Sequence, residues 1–277
     1  MPPAQIVLAG WQETGDCVNS RMPTLDGEQR TEKCSALQQA LNQGLRPFAV
    51  PLLISPDLEL RPSEVRNATG ALLHVGNKQC LVTCYHVWEE LQPKKRGHNS
   101  SVMVALLNDG YGAFHIERPT LLTNSEKLGL AKEVDLAVFD ITGVQHLGEK
   151  KCFPFGDATT HEPVQGDIVV TMGFPGMWRK SDKNYTCVSS GPLPFTVGDV
   201  TTRSFIIPDN NPQNHEVFAY LDAQPRSPYS EDSCGGLSGA PVFHVNRKPF
   251  KLAGFIVRRG LGVLIVTRAS CVKDLIE

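Results

Sequence analysis

Residues 68–87 read ATGALLHVGNKQCLVTCYHV, two apolar runs that meet at Gly76-Asn77. A Gly/Asn pair between apolar runs marks a tight hairpin, because short hairpin loops need residues that accept positive φ. Its arms are then strands, Ala71–Val75 and Cys80–Cys84. The same grammar continues outward. Val102–Leu107 and Tyr111–Ile116 flank the turn Asn108-Asp109-Gly110, and Val134–Ile141 is an apolar run interrupted by Asp135 and Asp140. Further strands are expected at Ile168–Met172, Phe195–Val200, Phe205–Ile207, Val217–Asp222, Pro241–Val245, Leu252–Val257 and Val263–Thr267, with a short helix over Ala269–Ile276. One longer helix is expected, Thr31–Leu45, with Leu37, Ala40, Leu41 and Leu45 on one face and Gly44 near its end. Many short strands, 24 Gly, 20 Pro and no alternation of strand with helix point to all-β barrels or sandwiches.

Bulk composition excludes several classes. In 277 residues, 41% hydrophobic and 20% charged content is ordinary for a globular chain. A formal net charge of −2 gives no general attraction to nucleic acid or anionic lipid. The basic run Lys94-Lys95-Arg96 precedes Gly97 and reads as a solvated loop. Met1–Gly10 lacks a basic flank and is apolar only over Ile6–Ala9, short of the roughly 7–15 apolar residues of a secretory core. No run approaches the roughly 20 residues of a membrane span. The eight cysteines are therefore expected as reduced thiols of a soluble cytoplasmic protein, and the sequons at Asn67, Asn99 and Asn184 carry no meaning. Neither nucleic acid nor membrane is expected as a partner.

Three places depart from the strand-and-turn pattern. A histidine, His86, follows directly on a strand. Asp135 lies in an apolar run, Glu133-Val134-Asp135-Leu136-Ala137-Val138. Ser238 sits among glycines in Asp232-Ser233-Cys234-Gly235-Gly236-Leu237-Ser238-Gly239-Ala240-Pro241, ahead of a strand. Each alone has a structural reading: a satisfied histidine, an end-of-strand turn former, a plain loop. Together they fit one mechanism. A serine hydroxyl is a weak nucleophile until a base takes its proton, and the base needs a buried carboxylate to fix its tautomer. Glycines let backbone N–H groups approach a developing oxyanion.

On these residues the chain resembles the chymotrypsin/trypsin-like serine proteases. The order His, Asp, Ser is that family's, and the three lie 49 and 103 residues apart (86 to 135, 135 to 238). Ala68-Thr69-Gly70-Ala71 through Thr83-Cys84-Tyr85-His86-Val87 is similar to the strand leading to the family's histidine motif. Gly166-Asp167-Ile168 through Gly173-Phe174-Pro175 resembles the opening of the second barrel in bacterial Deg-type relatives. Leu252–Val257 resembles the strand that pairs with substrate backbone, and Thr267-Arg268 before a short helix resembles the family's C-terminus.

The resemblance spans about residues 47–277. It implies two packed six-stranded antiparallel β-barrels, about 47–155 and about 156–277, with residues 1–46 as a helical extension and a short C-terminal helix. It implies His86, Asp135 and Ser238 as catalytic residues, and the N–H groups of Gly236 and Ser238 as the oxyanion hole. Substrate contacts would fall at Asp232, Ser233, Val257, Arg258 and Gly260. No cofactor is implied. Cys80, Cys84 and His86 are metal-ligand types, but their period-two spacing puts them on one strand face and favours core packing.

The chain also departs from the family. The residue before the serine, an aspartate in trypsins, is Leu237, which removes the ion pair of zymogen activation and leaves room for a regulatory partner. Asp232 stands where trypsins carry the carboxylate that binds a basic P1 side chain; beside Glu231 it could equally be an exposed loop residue. The expected function is an endopeptidase acting on protein or peptide substrates. A catalytically silent binding module and an acyl transferase or esterase are the alternatives.

Overall fold

The computed structural model describes residues 39–55, 66–91, 102–106, 113–116, 121–144, 147–174, 179–181, 186–188, 191–208, 236–245, 249–260 and 263–277. The expected strand Val217–Asp222, the Asn108-Asp109-Gly110 turn, the first part of the Thr31–Leu45 helix, and Asp232 and Ser233 lie outside these residues.

The expected hairpin across Gly76-Asn77 is present. β2 (Arg66–Val75) and β3 (Lys78–Cys84) pair antiparallel with Leu72 facing Leu81 and Leu73 facing Cys80. Gly76 turns the corner at φ 59. Around this hairpin lie β1 (Ala49–Ser55), β4 (Val102–Leu106), β5 (Ala113–Ile116) and β6 (Leu136–Asp140), in the order β5-β4-β1-β2-β3-β6. β1 carries Pro51, whose missing N–H argues against an interior strand. The conflict is resolved by register. β4 pairs only with Leu52–Ser55, so Pro51 lies beyond the β4 ladder. β2 outruns β1, and its last residues Leu73–Val75 pair in parallel with β7 (Phe153–Phe155), a seventh strand.

The second sheet contains β8 (Ile168–Gly173), β11 (Gly191–Thr196), β12 (Ser204–Pro208), β13 (Pro241–His244), β14 (Lys251–Gly260) and β15 (Val263–Arg268), ordered β11-β8-β13-β14-β15-β12. It closes on itself just past β11, where Gly198 N donates to Ile206 O at 2.8 Å and Ile206 N to Asp199 O at 3.0 Å. β9 (Arg179–Ser181) and β10 (Thr186–Val188) form a separate two-stranded ribbon. The expected all-β architecture of two antiparallel units is present, with the parallel β7 added to the first.

Helices close the ends. Residues 39–45 form helix α1, which buries Leu41 and Leu45. α2 spans Tyr85–Leu91, α3 Leu128–Val134 and α4 Ser270–Ile276. α4 buries Cys271, Val272 and Leu275, one face at helical spacing. Neither α2 nor α3 is expected from the sequence, because seven residues are too few to show a period clearly.

The two units share a core. Met172, Phe243, Leu252 and Phe255 of the second sheet, with Phe174 just beyond β8, pack in one cluster with Val50, Leu72, Val82 and Phe139 of the first. Phe153 bridges them edge-on, 5.1 Å from Phe48 and 5.3 Å from Phe243. Such aromatic pairs add about 0.5–1.5 kcal/mol beyond their burial. A second cluster, with Phe195, Phe205, Val242 and Val266, fills the second sheet alone. The seam between the sheets is therefore fixed, and the candidate residues lie along it.

Candidate active site

His86 is the second residue of α2, immediately after β3 ends at Cys84. The first N–H groups of a helix have no intrahelical acceptor. Asp135 supplies two: its carbonyl accepts from Tyr85 N at 3.1 Å, and its Oδ1 accepts from His86 N at 3.0 Å. The same carboxylate meets the His86 ring, with Nδ1 2.9 Å from Oδ2 and 3.2 Å from Oδ1. The backbone of α2 and the ring it carries are thus aligned on one side chain.

The sequence placed Asp135 inside an apolar strand, and the structure corrects this. Asp135 caps the C-terminus of α3 in the left-handed region (φ 54, ψ 42), and β6 begins one residue later. Asp and Asn tolerate that region better than other side chains, because they are short and polar. Asp135 is 3% exposed. Burial pushes its carboxyl up, but bonds from the His86 ring and backbone, the His86 charge and a bond from Arg258 outweigh it and hold the group below the usual carboxylate range.

Ser238 lies in the turn before β13, half-buried. Ala240 N donates to Leu237 O at 2.8 Å, and Gly236 (φ 98) and Gly239 (φ 87) supply the left-handed corners. The turn is pinned by the first sheet. Thr69 N donates to Ser238 O at 2.9 Å, and Thr69 Oγ1 donates to Gly236 O at 2.6 Å while accepting from Phe174 N at 3.1 Å. A side chain at Gly239 would stand 2.2 Å from Thr69 O; one at Gly236 would stand 2.1 Å from Asn67 Nδ2 and 2.4 Å from Phe174 O. Only glycine fits either place. Among the described residues, the N–H groups of Gly236 and Ser238 donate to no acceptor.

Cys84 joins these parts. Its thiol donates to Ile256 O at 3.4 Å and lies 3.8 Å from Val257 O. Burial, and then the Asp135 charge, push this thiol well above its ordinary value, against a hydrogen bond from the Ser238 side chain and another from the Gly239 backbone. Ser238, Cys84 and Asp135 therefore share one neighbourhood with His86. Among the described residues, the His86 ring bonds only to Asp135, and no hydrogen bond joins Nε2 to Ser238. Such bonds are often long before substrate arrives.

Of the substrate-contact residues inferred from sequence, Val257 is buried and Gly260 is exposed near the end of β14. Arg258 turns elsewhere: its Nε donates to Asp135 Oδ2 at 3.1 Å. Thr69, Asn67 and Thr83 are not expected as site residues from the sequence, although the Ala68-Thr69-Gly70-Ala71 motif contains one of them. A cavity of about 340 Å³ lies behind Asp135, walled by Glu133, Arg203, Val257, Arg258 and Thr267.

Two clusters have metal-ligand types: Cys84, His86 and Asp135, and His161, Asp167 and His244. In the first, the donor atoms already bond to protein: Cys84 Sγ donates to Ile256 O at 3.4 Å, and His86 Nδ1 meets Asp135 Oδ2 at 2.9 Å. In the second, His161 Nε2 is 2.7 Å from Asp167 Oδ2 and His244 Nε2 is 3.6 Å from Oδ1. The two rings stack at 3.8 Å and 20°, and one ion cannot lie in both ring planes. Asp167 is the partner of both histidines.

Among solved structures, the fold is similar to a thermostable serine protease, AL20, from an extremophilic microorganism, at 14% identity and TM-score 0.50, covering 82% of this chain and 94% of that one. It is also similar to a scabies mite inactivated protease paralogue, at 14% identity and TM-score 0.50, over 84% and 96% of the two chains. HBP matches at 12% identity and TM-score 0.50, over 84% and 90%. No family model and no curated relative matches the sequence. The fold is that of the trypsin-like serine proteases. Identities this low carry the fold alone, and one neighbour is described as inactivated, so activity must be argued from the site.

Proposed function

We propose that the chain is a serine endopeptidase in which Ser238 is the nucleophile, His86 the base and Asp135 the carboxylate that orients it. The observation that carries this reading is the double hold of Asp135 on His86, at 2.9 Å to the ring and 3.0 Å to the backbone, beside the Ser238 turn. With Nδ1–H donated to Asp135, the lone pair on Nε2 is left to take a proton. Ser238 Oγ would attack the scissile carbonyl as Nε2 removes its proton, and Asp135 would stabilise the imidazolium. The N–H groups of Gly236 and Ser238 would receive the oxyanion. Nε2–H would then protonate the leaving amine, and water would repeat the cycle on the acyl-enzyme.

Two finer parts belong to the same proposal. Asp232 would favour Arg or Lys at P1, which matched P1-Arg and P1-Leu peptides test; equal rates remove that role. The free thiols Cys80, Cys84, Cys152 and Cys271 support a reducing, cytoplasmic setting, which cell fractionation tests.

A silent binding module is the second reading, favoured by the absence of a bond between His86 and Ser238 among the described residues. A fluorophosphonate probe separates the two. Labelling of wild type and not of Ser238→Ala supports the protease. Failure to label folded wild type, with no peptide hydrolysis, refutes it.

A further inference from the structure

The carboxylate beneath His86 has a third donor, and it comes from the other sheet. Arg258 Nε reaches Asp135 Oδ2 at 3.1 Å, although the Arg258 side chain is 63% exposed and that of Asp135 only 4%. The approach depends on a bulge in β14. Pairing with β15 passes from Ile256 straight to Arg258, leaving Val257 without a partner. A bulge re-aims the side chains around it: Val257 is buried, and Arg258 emerges toward Asp135.

From this geometry we infer that Arg258 is a positioning residue for the base, holding Asp135 and tuning the charge that His86 feels. The inference rests on the catalytic reading above. The carboxylate is bonded at both oxygens: Oδ1 by His86 N and Nδ1, Oδ2 by Nδ1 and Arg258 Nε. Hydrogen bonds between ionised partners are the strong ones, so Arg258 restricts how the carboxylate can turn under the ring. Its guanidinium stays charged at any working pH. A fixed positive charge on Asp135 offsets part of the pull of the carboxylate on the imidazolium that forms in the reaction.

The other groups around Asp135 do not duplicate this charge. Cys84 from β3 is held as a thiol. Glu133 from α3 is paired with Arg203, and Tyr85 from α2 uses its backbone N–H. Among the described residues, Arg258 is the one arginine or lysine bonded to the carboxylate.

The test compares wild type with Arg258→Met, which keeps length and removes charge, and with Arg258→Lys. In Arg258→Met the acid limb of the kcat/KM profile moves up by about half a pH unit. kcat/KM at neutral pH falls about tenfold, a fraction of what a general base supplies. Arg258→Lys recovers much of the acid limb. The pH at which the His86 ring signal titrates by NMR moves upward in the same variant, a readout that needs no activity. If Arg258→Met folds and neither its acid limb nor its ring titration moves, the inference is overturned. If wild type neither hydrolyses peptide nor labels, the catalytic reading fails instead, and the ring titration still decides Arg258.

Discussion

Asp135 fixes His86 at two points at once, the backbone N–H at 3.0 Å and ring Nδ1 at 2.9 Å. The backbone bond sets where α2 begins, and the ring bond sets which nitrogen faces out. Neither works without the left-handed backbone of Asp135, which turns the carboxylate back under the helix.

Asp135→Asn is the variant that isolates this role, because Asn also tolerates φ 54 and keeps the shape. kcat is expected to fall about 10³- to 10⁴-fold, since the amide can donate to Nδ1 and so fix the wrong tautomer. Stability changes with a definite sign. The carboxyl is held low in the folded chain, so its contribution is complete above the unfolded value near about 3.9 and is lost as pH falls through the folded value. The stability gap between wild type and Asp135→Asn, read by urea unfolding, should be larger at pH 6 than at pH 3. A gap independent of pH would refute the assignment of cause.

Thr69 ties the nucleophile turn to the first sheet through its backbone and its hydroxyl. Thr69→Val keeps the shape and removes the hydroxyl, leaving Phe174 N and Gly236 O without their partner. The expected loss is about 2–4 kcal/mol, because both stranded groups are buried. Hydrolysis should fall further than stability alone explains, since Gly236 O anchors the turn that places Ser238. Chemical denaturation and kcat on the folded fraction check the two parts separately.

How much of this could be read beforehand follows from where each cause lies. The β2–β3 hairpin was legible because Gly76-Asn77 is a local turn signal, and the triad residue types were legible because they break apolar or glycine-rich runs. Asp135 was misread as a strand residue. The apolar run Leu136–Phe139 hides the preceding helix, which is only one seven-residue element capped by chain geometry. Thr69 and Arg258 act across 167 and 123 residues of chain. Contacts of that kind follow from sheet register and a bulge, which no local pattern reports.

Gly76 and Gly239, both at positive φ, make a controlled comparison. At Gly239 a Cβ would meet Thr69 O at 2.2 Å and Thr83 Oγ1 at 2.6 Å, while at Gly76 nothing lies within 4 Å. Gly76→Ala should cost about 1 kcal/mol, the backbone strain alone. Gly239→Ala adds a backbone clash and should cost at least about 3 kcal/mol, with Ser238 displaced and hydrolysis lost. Equal losses in thermal unfolding would mean that the seam between the sheets can open to admit a methyl group.

Thiols partly or wholly withdrawn from water set an alkaline limit on stability. Cys80, Cys152 and Cys271 are each pushed up to about 11, with burial the largest cause in every case. In the unfolded chain they ionise near 9.0. A raised folded value contributes stability that is whole below the unfolded value and lost as pH rises from about 9 to about 11. Cys271 is the one to test, because no other thiol contributes to its shift, whereas Cys152 contributes to that of Cys80. Its Sγ donates to Arg203 O at 3.7 Å. Cys271→Ala should cost about 1 kcal/mol at pH 7 through lost packing. Between pH 9 and 11 the wild type loses the thiol's contribution, up to about 1.4 kcal/mol per pH unit, while the variant has none to lose. The two stability curves should therefore converge and can cross. Lysines and tyrosines titrate in the same range, but they do so in both proteins and cancel in the difference. Parallel curves up to pH 10.5 would show that Cys271 is open to solvent often enough to ionise in the folded chain.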